Sequence, residues 1–247
     1  MCAKKRIALY GGTFDPVHIG HIEVARRVSQ LFEIEKVLFI PAQMAPHKIG
    51  RPVTEPIHRY AMLALATQND PGLSISTFEL DAPDRRYTVE TVAHFQQALD
   101  DSTELFFIMG ADSWSEITTW REWKRLLTMT NHIVVTRPGY EPTETNVGAV
   151  KERIVDLRSS LECGDPSPPS PRAERATLTK AATSRRTPGS GIFFTDVVMN
   201  DVSATNIRQI ARDGPTEELS KLLPGPVLDY IRKYGIYREL NEAKLNS

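Results

Sequence analysis

The stretch that most constrains this chain is Gly11-Gly12-Thr13-Phe14-Asp15-Pro16-Val17-His18-Ile19-Gly20-His21. It follows a short apolar run, Arg6 to Tyr10, that ends at paired glycines as a buried parallel strand does. It precedes a helical pattern from about Ile19, in which Ile22, Ala25, Val28 and Phe32 share one face while Arg26, Arg27 and Gln30 face water. A strand feeding a helix through such a turn belongs to an open α/β sheet, where ligands bind beyond the carboxyl ends of the strands. The helix amino terminus offers N–H groups and partial positive charge to an anion, and Gly11 and Gly12 let backbone come close. His18 and His21, three residues apart on an incipient helical turn, face the same side and can both donate to one phosphate. Two other readings stay open, a metal pair and ordinary surface histidines. A metal would need a third ligand, and none stands nearby at a usual spacing.

The same alternation continues along the chain. Strands are predicted at residues 36–41, 73–78, 104–109, 132–136 and 191–194, with helices at 56–68, 88–99, 113–119 and 122–127. This implies an α/β fold: a Rossmann-like parallel sheet with helices on both faces and right-handed crossovers. Ser203 is a candidate N-cap for a helix running to about Asp213. Leu219, Leu222, Leu223, Val227 and Ile231 suit two short helices separated by Pro224-Gly225-Pro226, a small helical segment after the sheet.

A chain of 247 residues can bury a substantial core. Its 30 Lys and Arg against 31 Asp and Glu give no overall bias toward nucleic acid or membrane. The two cysteines, Cys2 and Cys163, make no disulfide framework, and without a signal peptide or long apolar run the cytoplasm is the expected compartment. Between Gly164 and Gly191 the composition turns to Pro, Ser, Thr and Arg with few large apolar side chains. That stretch cannot bury a core and is expected to be a disordered insertion, with a basic interaction arm as the other reading. Residues 1–240 are thus read as one domain interrupted at 164–191, with a frayed tail at 241–247.

The turn resembles the H-x-G-H signature of the nucleotidyltransferase superfamily, and the chain as a whole resembles the bacterial nicotinate mononucleotide adenylyltransferases. The likeness is carried by GGTFDPVHIGH, Pro41 to Lys48, Arg85 to Thr91, Phe107 to Trp120, Arg137 to Gly139, Ser203 to Arg208 and Leu222 to Ile231, in order. It implies adenylyl transfer from ATP, with Mg2+, to nicotinate mononucleotide, giving nicotinate adenine dinucleotide and pyrophosphate. In that reading His18, His21 and Arg208 carry the catalysis. Gly11, Gly12, Thr13, Phe14, Lys48, Gly110, Asp112, Ser203, Thr205 and Ile207 bind ATP. Tyr87, Thr88, Thr91, Trp120 and Arg137 bind the mononucleotide. Physical chemistry agrees with several of these roles: a forked guanidinium suits a pyrophosphate leaving group, an Asp past a strand end suits ribose hydroxyls, and an indole can stack on a pyridine ring.

Some roles stay open at this level. Lys48 also reads as an exposed lysine, and Asp15 reads as a turn cap or a magnesium ligand. Nicotinate and nicotinamide differ by a carboxylate against an amide, a choice that backbone N–H groups alone could make. Family likeness favours the acid. Another phosphorylated acceptor, or a non-catalytic nucleotide binder on the same fold, is the competing reading. The expected partners are small molecules, without nucleic acid or membrane, and a homo-oligomer is left open.

Overall fold

The computed structural model describes residues 4–43, 53–82, 86–136, 152–158, 191–196, 202–213 and 215–237. Its centre is the strand β1 (Lys5–Gly12), whose alternate side chains enter two different cores: Ala8 and Tyr10 on one face, Ile7 and Leu9 on the other. That two-sided burial explains why the strand reads as a continuous apolar run.

From β1 the chain passes through α1 (Ile19–Phe32) to β2 (Lys36–Pro41), then through α2 (Pro56–Thr67) to β3 (Leu73–Ile75). It next crosses back through α3 (Thr88–Ala98) to β4 (Thr103–Gly110), which lies on the other side of β1. After α4 (Ala111–Ser115), a 3-10 turn (Ile117–Thr119) and α5 (Trp123–Met129) come β5 (Asn131–Val135), β6 (Ile154–Asp156) and β7 (Ile192–Thr195). The described strands form one parallel sheet in the order β3-β2-β1-β4-β5-β7-β6. Three helices close the fold: α6 (Ala204–Asp213), α7 (Thr216–Leu222) and α8 (Gly225–Tyr234).

Buried residues of α1, α2, α6, α7 and α8 share one core cluster, and those of α3, α4 and α5 share the other. The sheet is therefore covered on both faces, as expected. The strand order reverses between β1 and β4, so a crevice opens between their carboxyl ends. Among the described residues no helix is long and apolar enough to cross a membrane.

Two expectations change. The strand expected over 73–78 stops at Ile75, because the Phe78 N–H bonds the Ser76 hydroxyl and the Asp81 N–H bonds the Thr77 carbonyl, which turns the chain. The strand β6 was not foreseen at all. Its three residues are flanked by charges, and it pairs only with β7, which enters between it and β5. The expected insertion at 164–191 lies outside the described residues except for Gly191, and so does the tail at 241–247.

Candidate functional site

The β1–α1 turn is built from aromatic packing. Phe14 takes a left-handed backbone, φ 50°, which a bulky side chain adopts only when its surroundings hold it there. Its ring is 2% exposed and meets Tyr10, Phe39 and His21 at centroid distances of 5.5, 5.3 and 5.0 Å. A Cβ on Gly12 would lie 2.8 Å from that ring, and one on Gly11 would lie 3.1 Å from the ring of Phe107. A side chain at either position would have to displace a packed aromatic ring.

His18 is the N-cap of α1 and is buried, 6% exposed. Its backbone N–H donates to Nδ1 of His21 at 3.2 Å. A ring nitrogen that accepts carries no proton, so neutral His21 bears its proton on Nε2 and is a donor there. The two imidazoles stack at 3.7 Å. Gly20 lies between them, where a Cβ would come within 3.1 Å of the His18 ring. The glycine of the His-x-Gly-His spacing is what permits the stack.

The far end of the chain closes this turn. Arg208 on α6 donates one N–H to the Asp15 carbonyl at 2.6 Å and another to the Thr205 hydroxyl at 3.1 Å. The Tyr237 hydroxyl donates to Oδ1 of Asp15 at 2.7 Å, and the Thr54 N–H reaches Oδ2 at 3.4 Å. Burial, then the Asp15 charge, pushes the Tyr237 phenol well above its usual range, so it stays a donor. Asp15 is thereby a clamp, with both carboxylate oxygens engaged. Among the described residues no group of three His, Cys, Asp or Glu could hold a metal ion.

Arg59 was missed by the sequence reading. Fully buried on α2, it donates to the carbonyls of Thr54 at 2.9 Å, Thr13 at 2.8 Å and Gln43 at 3.2 Å. Desolvation lowers its pKa, opposed by the nearby charge of Asp15. The signal available was an arginine on the apolar stripe of α2, one turn before Met62 and Leu63.

Across the crevice, Gly110 and Asp112 follow β4. Continuing the β1–β4 register, in which Tyr10 faces Ile108, puts Gly110 opposite Gly12. A Cβ on Gly110 would meet nothing within 4 Å, and Asp112 is exposed in the first turn of α4. The Phe107 ring stands edge-on to Trp120 at 6.5 Å. The indole Nε1 of Trp120 is buried and has no hydrogen-bond partner among the described residues.

Opposite stands the amino end of α3. Tyr87 is its N-cap, and its N–H donates to Oε2 of Glu90 at 3.0 Å. Thr88 begins the helix, partly buried. The Arg121 guanidinium lies over the Tyr87 ring at 4.7 Å and 3.9 Å from Oε1 of Glu90. Beneath, Thr91 is buried and donates to Oε1 of Glu79 at 2.7 Å. Burial lifts the Glu79 carboxyl to about 7, against pulls from Thr91 and Arg86. Glu79 is another residue the sequence reading did not single out.

The structure therefore brings together His18, His21, Thr13, Gly11, Gly12, Thr205 and Arg208 around the turn, with Ser203 capping α6 through its carbonyl to Ile207 at 3.0 Å. Tyr87 and Trp120 pack against the same core cluster, on the α3–α5 side of the sheet. The side chains of Phe14 and Ile207, expected at the nucleotide, point into the core, and that of Thr91, expected at the mononucleotide, is tied to Glu79 below the surface, which leaves their backbones to face a ligand. Lys48 and Arg137 lie outside the described residues.

Residues 9–210 match the family described as cytidylyltransferase-like. A curated relative from Thermoanaerobacter sp. (strain X514), named "probable nicotinate-nucleotide adenylyltransferase", is 34% identical over 96% of this chain and 96% of its own length. A second of the same name, from Desulfitobacterium hafniense (strain Y51), is 35% identical over 95% of this chain and 96% of its own. The fold is also that of the Plasmodium falciparum nicotinic acid mononucleotide adenylyltransferase solved with NaAD, at TM-score 0.64 and 18% identity, over 94% of this chain and 97% of that one. From the His-x-Gly-His turn and its distant arginine to these full-length similarities, the chain belongs to the nicotinate-nucleotide adenylyltransferases of the cytidylyltransferase-like family.

Proposed function

We propose that this protein transfers the adenylyl group of ATP to nicotinate mononucleotide, forming nicotinate adenine dinucleotide and pyrophosphate, in NAD biosynthesis. The observation that carries the reading is that the turn holding the stacked His18–His21 pair also receives Arg208, which donates to its Asp15 carbonyl. The name shared by the full-length relatives supports nicotinate mononucleotide as the acceptor.

In this reading a phosphate oxygen of the mononucleotide attacks the α-phosphorus of ATP in line. The bond from that phosphorus to the bridging oxygen breaks, and pyrophosphate leaves with the electron pair. No protein nucleophile takes part; the work is alignment and stabilisation of charge on phosphoryl oxygens. Nε2–H of His21 and the ring of His18 donate to the α- and β-phosphates, and the backbone at Gly12 and Thr13 adds N–H donors. Arg208, oriented by Asp15 and Thr205, directs its remaining N–H groups to the leaving pyrophosphate, with Ser203 and Thr205 beside it. The family likeness adds Lys48 as a further cation for the phosphates. Magnesium enters with the triphosphate as part of the substrate and neutralises its oxygens. Gly110, without a side chain, admits the adenosine, and Asp112 accepts from the ribose hydroxyls. The pyridine ring lies against Trp120 between Tyr87 and Thr88, with Arg137 near the mononucleotide.

The test is pyrophosphate release from purified protein with ATP and magnesium, comparing nicotinate mononucleotide, nicotinamide mononucleotide and phosphopantetheine. The expected result is strong preference for the nicotinate compound. Preference for another acceptor would overturn the pyridine pocket, and ATP binding without release on any acceptor would overturn catalysis altogether.

A further inference from the structure

The acceptor's carboxylate is what separates nicotinate from nicotinamide, and a cation stands beside two residues of the proposed acceptor site. Arg121 follows Trp120 in the chain, and its guanidinium lies over the Tyr87 ring at 4.7 Å. It is therefore adjacent to both. We propose that the Arg121 guanidinium is a specificity-determining group that favours a pyridine carboxylate over the neutral amide. The inference rests on the acceptor site described under the proposed function.

The arginine is held loosely enough to change partners. Its ion pair with Glu90 is long, 3.9 Å, and both side chains are about half exposed, 53% and 44%. Exposed pairs of that kind contribute little. Glu90 is fixed by another task, because its second carboxylate oxygen accepts the Tyr87 N–H at 3.0 Å. Stacking on Tyr87 keeps the guanidinium at the pocket's edge without saturating its donors. A substrate carboxylate is thus offered a bidentate partner, while an amide is offered only ordinary hydrogen bonds. Two other charged groups belong to the neighbourhood. The Arg86 guanidinium lies over Phe78 at 4.3 Å, and Glu79, bound to Thr91, has its carboxyl pushed up to about 7 by burial.

Michaelis constants for nicotinate and nicotinamide mononucleotide, measured at saturating ATP on the full chain, test this. Arg121→Gln should raise KM for the acid about five- to tenfold, the effect of one unit charge near 5 Å in a largely aqueous setting, and leave KM for the amide, KM for ATP and kcat near their starting values. Arg121→Lys, which keeps the charge, should restore most of the preference. Glu90→Gln, which can still accept the Tyr87 N–H but no longer competes for the arginine, should lower KM for the acid. Equal changes for both acceptors, a loss of kcat that lysine does not rescue, or no change in preference would each overturn the proposal. If the unsubstituted protein does not use nicotinate mononucleotide, the proposed function falls with it; an unaltered preference in an active Arg121→Gln variant sinks this inference alone.

Discussion

Between pH 7.5 and pH 5 one buried and one partly buried group should act on the stability of this protein with opposite sign. His132 is fully buried behind Phe107, ring centroids 6.0 Å apart, and neither ring nitrogen meets hydrogen-bond geometry with a described residue. Desolvation pushes its pKa down to about 3, opposed only in part by the Thr130 backbone. An unfolded imidazole titrates near 6.5, so below that pH the unfolded chain takes up a proton that the native one refuses. His132 therefore contributes stability above pH 6.5 that is lost progressively as pH falls toward 3. Linkage with those two values gives a loss of about 2 kcal/mol by pH 5. Glu79 works the other way: its folded pKa is about 7 against an ordinary 4.5, so stability rises as pH falls through that interval. The net change in the unsubstituted protein should be smaller than either part. His132→Leu should gain about 2 kcal/mol on the parent at pH 5 relative to pH 7.5, and Glu79→Gln should lose stability on acidification more steeply than the parent. Denaturant unfolding at four pH values across the window would measure both. If His132→Leu and the parent move in parallel, the histidine is not held neutral by burial and the argument fails.

Three further outcomes follow from the site. His21→Ala should lower kcat by about a hundredfold or more, as loss of a positioned donor does, while unfolding stays cooperative; near-normal turnover would remove His21 from the mechanism. Gly20→Ala should also reduce kcat, because its Cβ at 3.1 Å displaces the His18 ring, and a normal rate would show that the stack is dispensable. Arg59→Met should cost about 3–5 kcal/mol in denaturant unfolding by leaving the carbonyls of Thr13, Gln43 and Thr54 without their charged donor, and a loss below 1 kcal/mol would mean that water replaces it.

What was legible in the sequence was whatever repeats locally. The apolar run before Gly11, the helical stripe of α1 and the alternation that follows give the doubly covered sheet, since burial on two faces leaves a direct pattern. The histidine pair was legible because three residues of helix bring both rings to one side. The glycines carry a second reason that the sequence did not announce: a Cβ on Gly12 or Gly11 would press on the ring of Phe14 or Phe107. The core-facing side chains of Phe14 and Ile207 were not legible from the motifs around them, because within a helix or turn neighbouring side chains point to opposite sides. Arg59, Glu79 and the Asp15 clamp act through partners distant in the chain, such as Tyr237, and no local pattern announces them. The short β6 was illegible because an edge strand of three residues carries little hydrophobic signal.

The bond from Arg208 to the carbonyl of Asp15, and that from Tyr237 to its carboxylate, span 193 and 222 positions of chain. On a ribosome, where the amino end emerges first, the His-x-Gly-His turn is made before the residues that hold it and waits through the synthesis of those 193 and 222 positions. A nascent chain can pair β1 with β2 and bury α1 long before it owns an arginine for pyrophosphate. Competence for nucleotide chemistry therefore arrives late and all at once, with α6 and Tyr237. A chain cut short before them would have much of a sheet, but would lack the closure of its phosphate site.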